Sequence, residues 1–269
     1  MDMKKLPFLL TTLLLLFVFA GCKGEKGGNT PTPSPSKKPN DKEIQWNKDR
    51  TLEFVVVSNH QTKALFGTKK DYADLSEWLS NKNSYSMAVL MNADASGDGA
   101  AIAMALPPVA KLFQCYNFSG YREGVPTGNL VLTKEYFRDY VNLPIGNSYL
   151  LTFRTDLNAT SPKQLKYTLS MGVVTISDNL TLSAFEKELA NQVSGTKEIL
   201  LIGTIAKDLM NAFPKIDGYE LKEVSPVVGG DHVTFLFAKK SYLHRETTKL
   251  FDRSGVIGYS VKVEAGVLR

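Results

Sequence analysis

The sequence predicts a mixed α/β fold, and three observations predict it. The chain opens strand–helix–strand: Thr51–Ser58 is a β-branched run, Asp71–Ser80 carries apolar residues at helical spacing, and Ser86–Met91 is apolar again. Between Lys111 and Thr175 the apolar residues alternate, the period of antiparallel strands with one buried face. Further on, Leu200, Leu201 and Ile202 run unbroken into Gly203, the pattern of a strand buried on both faces and ending in a tight turn. Buried and alternating strands together argue for mixed rather than purely parallel sheets.

Residues 1–21 contain Lys4 and Lys5, then a leucine-rich run from Leu6 to Phe19. This run is too short and too charge-flanked to span a bilayer and reads as a signal peptide. Phe19-Ala20-Gly21-Cys22 resembles a bacterial lipobox, with Phe19 where Leu is usual. The resemblance implies that Cys22 becomes the lipid-modified, palmitate-bearing N-terminus. The alternative is an ordinary signal peptide with an incidental Cys. Lys23 stands where, in enteric sorting rules, an Asp favours inner-membrane retention, which implies delivery to the outer membrane, on either face. Residues 22–44 are the lipidated Cys and a tether rich in Pro, Ser and Gly, including Thr30-Pro-Thr-Pro-Ser-Pro-Ser36, which has no means of building a core. Residues 45–269 are expected to form one domain.

The first strand, Thr51–Ser58, is followed by a helix with Tyr72, Leu75, Trp78 and Leu79 on one face, stopping at Asn81-Lys82-Asn83. After the second strand, Asp94, Ser96, Asp98 and Gly99 match the front half of a calcium loop, but Ala105 replaces the twelfth-position Glu, so the stretch reads as a solvated turn. Strands are expected at Lys111–Phe118, Gly128–Lys134, Asn147–Thr155 and Lys166–Thr175. Ser183-Ala184-Phe185-Glu186 has the form of a capping box, opening a helix whose stripe is Phe185, Leu189 and Val193, with Ser194-Gly195 ending it. A short helical turn at Lys207–Ala212 and strands at Tyr219–Val224, Asp231–Ala238 and Val256–Glu264 complete the order.

Composition excludes several classes. Of the formal net charge of +5, residues 1–44 contribute +3, leaving +2 for 45–269, so no nucleic-acid surface is expected. Once Cys22 is used, Cys115 stands alone, with no disulfide partner and no Cys/His metal spacing. Its alternating surroundings mark it as a buried, inert thiol. Of the histidines, His60 follows a strand end and His232 adjoins Asp231. If both ends meet, a His/Asp metal site becomes available, but no spacing motif ties them and the first reading is structural. A Ser-His-Asp triad has no Gly-x-Ser-x-Gly elbow to support it. Lys239, Lys240, Arg245, Lys249 and Arg253 read as a solvated loop, with lipid headgroups or an anionic glycan as the functional alternative.

The order of pieces over residues 50–265 resembles the endonuclease/exonuclease/phosphatase family. That family opens with a strand ending in Asn, and Val57-Ser58-Asn59 fits. Where it has Leu-Gln-Glu, this chain has Leu90-Met91-Asn92. The family's glycine turn into a strand is similar to Gly128–Lys134. Its Thr-His-Leu corresponds to Thr175-Ile176-Ser177, its Gly-Asp-Phe-Asn to Gly203-Thr204-Ile205-Ala206, its Ile-Asp-x-Ile to Gly230-Asp231-His232-Val233, and its closing Ser-Asp-His to Ser254-Gly255-Val256. The resemblance implies two packed mixed β-sheets flanked by helices, a four-layer sandwich, with Asn59, Asn92, Ile176, Thr204, Ala206, Asp231 and Val256 gathered at one mouth.

Every departure falls on the chemistry. Members of the family bind Mg²⁺ through carboxylates and use a His with an Asp partner as base. Here Asp231 is the one acid retained at those positions, and neutral oxygens compete poorly with water for a hard cation. A missing base costs on the order of 10²–10⁴ in rate. The expectation is a pseudoenzyme: a lipid-anchored envelope protein with no catalytic residues, no metal and no cofactor, acting by binding an unknown ligand or protein partner. Asn59, Asn92, Asp231 and His232 would be the remnants of the cleft. The alternatives are a Mg²⁺-dependent phosphodiesterase or nuclease with relocated ligands, and an outer-membrane scaffold or assembly lipoprotein.

Overall fold

The computed structural model describes residues 44–45, 50–59, 85–94, 113–122, 124–133, 135–158, 166–194, 198–225, 230–253 and 256–268. Two six-stranded sheets make up the domain. The first contains β2 (Thr51–Asn59), β3 (Met87–Asp94), β4 (Phe113–Arg122), β5 (Val125–Thr133), β12 (Tyr242–Arg253) and β13 (Val256–Ala265), in the order β12-β13-β2-β3-β5-β4. The second contains β6 (Arg138–Ile145), β7 (Ser148–Asn158), β8 (Lys166–Ile176), β9 (Ile199–Ala206), β10 (Tyr219–Glu223) and β11 (His232–Lys239), in the order β10-β11-β9-β8-β7-β6. One pair in each sheet is parallel, β2 with β3 and β8 with β9, and the other pairs are antiparallel. Two short strands, β1 (Ile44–Gln45) and β14 (Val267–Leu268), pair antiparallel.

Period-two burial explains the layering. Leu52, Phe54 and Val56 of β2 and Met87, Val89 and Met91 of β3 meet Phe153, Met171, Val173, Leu200 and Ile202 from the other sheet in one core. The alternate residues of the second sheet, including Val174, Ile176, Leu201 and Ile205, face the other way. Leu182, Phe185 and Leu189 of α1 (Asn179–Gln192) pack there. Among the described residues α1 is the one α-helix, so the flanking helical layers are sparser than expected. The expected helix at 71–80, the calcium half-loop beyond Asp94, His60 and Cys22 lie outside the described residues.

Four expectations are corrected. Helix α1 starts at Asn179, not at a box on Ser183. Asp178 is its N-cap, its Oδ1 accepting from Thr181 N at 2.7 Å, and the apolar stripe begins one turn earlier, at Leu182. Gly203 is not a turn, because β9 continues through it to Ala206. A Cβ there would lie 2.6 Å from Phe235 Cζ and 2.6 Å from the Val174 carbonyl, so the glycine makes room for a ring. The basic stretch 239–253 is largely edge strand β12, and three of its cations are paired: Lys239 with Glu198, Arg245 Nε with Glu264 Oε2 at 2.6 Å, and Lys249 with Asp252 at 3.5 Å. Strand β6 went unpredicted. It is a mostly exposed edge strand containing Pro144, so it lacks the apolar alternation that marks the others.

Candidate functional site

Toward one end of the sandwich the inward-facing positions change from apolar to hydroxyl or amide. Strand β8 passes from Met171 and Val173 to Thr175, and β9 from Leu200 and Ile202 to Thr204. Strand β5 passes from Val131 to Asn129 and Thr127, β4 from Cys115 to Asn117 and Ser119, and β2 from Val56 to Ser58. On β3 a register irregularity between Leu90 and Ala93 brings Asn92 into the layer with φ 58°, a left-handed conformation that Asn tolerates better than most residues.

Asn92 is the hub of this layer. Its Nδ2 donates to Thr204 Oγ1 at 3.0 Å. Thr204 and Thr175 hydroxyls lie 3.1 Å apart, and Thr175 donates to Asn92 Oδ1 at 2.9 Å, closing a ring. Ser119 donates to Asn92 Oδ1 at 3.3 Å, and Asn92 N donates to Asn129 Oδ1 at 3.1 Å. Asn92, Asn129 and Thr204 are wholly buried and Thr175 nearly so. Buried neutral groups are tolerable because they bond one another.

This donor set does not fit a Mg²⁺ ion. A hard cation takes charged or free oxygen ligands. Here the oxygens are neutral, and those of the ring are already committed to one another. Among the described residues no three or more His, Cys, Asp or Glu side chains gather as a metal-binding group.

The ionisable pair at this end is Asp231 and His232. His232 pairs in register with Ala206 and is buried, whereas the Asp231 side chain is 42% exposed. His232 Nδ1 lies 3.0 Å from Asp231 Oδ1, and its Nε2 lies 3.4 Å from Oγ of the exposed Ser177. The order Ser-His-Asp has the connectivity of a nucleophilic triad, but two of the N–H groups at the adjacent helix start that could stabilise an oxyanion are taken. Asp178 accepts from the backbone of both Thr181 and Leu180. The relay therefore ties the start of β11 to the β8–α1 junction.

Asp178 also anchors the rim. Burial raises its pKa, but the hydrogen bonds it accepts from Thr181, Asn147 and Leu180 outweigh that and hold the carboxyl below its ordinary range. Asn147 Nδ2 donates to Asp178 Oδ2 at 3.0 Å. Gly146, at φ 60°, packs so tightly on α1 that a Cβ would meet Thr181 backbone atoms at 2.9 Å. Between this rim and the β4–β5 hairpin lies a cleft of about 460 Å³, with Asn92, Ser119 and Thr127 among its lining residues and Tyr121 and Tyr149 beside them.

Of the residues singled out in the sequence, Asn92 and Thr204 are joined by a hydrogen bond, Asp231 and His232 form their own pair, and Asn59 pairs with Val256 at the same end of the first sheet. Ile176 faces the other way, into the core beneath α1. His244 sits on β12, its Nε2 2.9 Å from Thr247 Oγ1. Cys115 is buried, and burial pushes its thiol pKa far up. Sequence reasoning missed Asn129, Ser119, Thr127, Asn147 and Asp178. The signal that could have found most of them is the change to hydroxyl and amide at every second position near several strand ends.

No protein-family model matches the chain, and none of the curated proteins matches it in sequence. Solved structures do. The endonuclease/exonuclease/phosphatase of Beutenbergia cavernae superposes with a TM-score of 0.51 at 13% identity, over 81% of this chain and 72% of that one. The human Nocturnin catalytic domain with bound sulfate gives 0.52 at 10% identity, over 82% and 96%. Humanized D. rerio TDP2 gives 0.51 at 10%, over 80% and 99%. At such identities the likeness shows the fold: two packed mixed sheets of the endonuclease/exonuclease/phosphatase kind.

Proposed function

We propose that this chain is a lipid-anchored envelope protein, held at the outer membrane through Cys22, whose phosphoesterase-like domain binds a ligand and does not turn over phosphodiesters. The observation that carries the reading is the closed ring of Asn92, Thr204 and Thr175. Opening it to coordinate a metal would break three buried hydrogen bonds without supplying a negative charge. Water activation would then lack a Lewis acid, and His232, held between Asp231 and Ser177, would have no metal-bound water to deprotonate.

The test is to assay the purified protein against a general phosphodiester substrate with and without Mg²⁺ or Mn²⁺. No metal-stimulated turnover is expected. Turnover that depends on metal and is lost in Asp231→Asn would overturn the reading in favour of a phosphodiesterase with relocated ligands. Anchoring is checked separately by labelling cells with a clickable palmitate analogue, which should mark the wild type and not Cys22→Ala.

A further inference from the structure

The cleft beside the polar layer has a composition of its own. Tyr121 is 71% exposed and Tyr149 37%, yet neither ring is loose. Phe118 packs edge-on against both, with centroids 5.2 Å from Tyr121 and 6.2 Å from Tyr149. The register shift between Phe118 and Gly120, with Gly120 at φ 134°, is where the strand bends before Tyr121. Two braced aromatic rings are therefore held at the mouth at little entropic cost, since their positions are set by packing within the protein.

Apart from Asp178, the described polar lining is neutral. Ser148 lines the cleft, is 3% exposed, and its Oγ has no protein hydrogen-bond partner. A buried hydroxyl left unmatched costs free energy, so it is a place where a ligand's own hydroxyl gains. Asn147 lies on the rim, with Nδ2 committed to Asp178. The charged side chain among the described lining residues is Asp178, whose carboxylate is occupied by the helix start and Asn147; no Lys or Arg stands among them.

From this we infer that the cleft is a binding site for a short, uncharged saccharide, whose C–H faces lie on Tyr121 and Tyr149 and whose hydroxyls meet Ser148 and the rim. The inference rests on the binding-module reading and names its ligand class. A sugar ring is amphipathic in the way this cleft is: apolar on its faces, hydroxyl-rich at its edge. Phosphodiesters and acidic glycans fit worse, because the described lining offers an anion no cation and presents a carboxylate at one side. The cleft's volume of about 460 Å³ falls within the size of small-ligand sites.

Isothermal titration of the purified protein with maltotetraose, cellotetraose, xylotetraose, mannotetraose and chitotetraose tests it, alongside a heparin tetrasaccharide and a single-stranded DNA decamer. At least one neutral tetrasaccharide should bind. Tyr121→Ala should weaken that binding ten-fold or more while lowering the melting temperature by no more than about 4 °C, because the ring is mostly exposed and loses only its contact with Phe118. Tyr149→Ala should weaken it as well. No Tyr121-dependent binding of any neutral sugar, or Tyr121-dependent binding of the heparin or DNA probe alone, overturns the saccharide assignment and leaves the non-catalytic reading intact. Metal-dependent cleavage of the DNA probe overturns the non-catalytic reading instead.

Discussion

Replacing Asn92 by Ala should destabilise the domain more than any other single truncation in the polar layer. The amide makes three hydrogen bonds that Ala cannot, to Thr204, from Thr175 and from Ser119, at about 1 kcal/mol each. The site adds a backbone component, since φ is 58° and Ala is disfavoured there relative to Asn, which tolerates the left-handed region, by about 1 kcal/mol. Together these come to about 4 kcal/mol, which for a domain of this size lowers the melting temperature by about 10 °C. Asn92→Gly loses the same side-chain bonds but accepts the positive φ without strain, so it should melt a few degrees above Asn92→Ala. Scanning calorimetry of wild type and both variants measures the differences. A drop of less than about 3 °C for Asn92→Ala would refute the hub. Gly melting below Ala would refute the backbone component.

Gly203→Ala should cost at least about 2 kcal/mol in chemical denaturation, because the new methyl meets both the Phe235 ring and the Val174 carbonyl at 2.6 Å; a neutral effect would mean that β11 shifts freely. Arg245→Ala strands the Glu264 carboxylate, which is 4% exposed, and should destabilise by about 3 kcal/mol, with Arg245→Ala/Glu264→Gln recovering part of the loss. Asp178 has a folded pKa below its unfolded value of about 3.9, so its contribution is present above that pH and is lost as pH falls through the lowered value. The stability gap between wild type and Asp178→Asn should therefore be open at pH 6 and shrink below about pH 4. Cys115 should resist iodoacetamide at pH 8 in the native protein and react on unfolding, since burial keeps it a thiol. Rapid labelling of the native protein would contradict that.

The core strands were legible because their apolar residues keep period two on the faces that are buried: Leu52, Phe54 and Val56 in β2, or Leu169, Met171 and Val173 in β8. Of the four edge strands of the two six-stranded sheets, β4 and β10 were legible and β6 and β12 were not. Residues of β6 are largely solvated and those of β12 carry ion pairs, so neither needs the hydrophobic pattern that identifies a strand from sequence. The N-cap of α1 was misplaced by five residues because Ser183 and Glu186 satisfy the spacing of a capping box while sitting inside the helix, and Asp178 holds the true first turn. Gly203 was read as punctuation because sequence does not show whether a glycine frees the backbone or admits a neighbour.

At the site, the sequence alone determined that Asn92, Thr204 and Ala206 bring no charge, because side-chain chemistry is a property of the residue whatever its surroundings. Tertiary structure decided which of the polar groups meet. Asn92, Ser119, Thr175 and Thr204 are separated by up to 112 positions along the chain, and only the packing of two sheets brings their polar atoms within hydrogen-bonding distance. The same holds for the partnership of His232 with Ser177, 55 residues away. Local periodicity reports which face of a strand is buried. Which strands face each other across the core is set by non-local pairing, and one strand's pattern does not encode it.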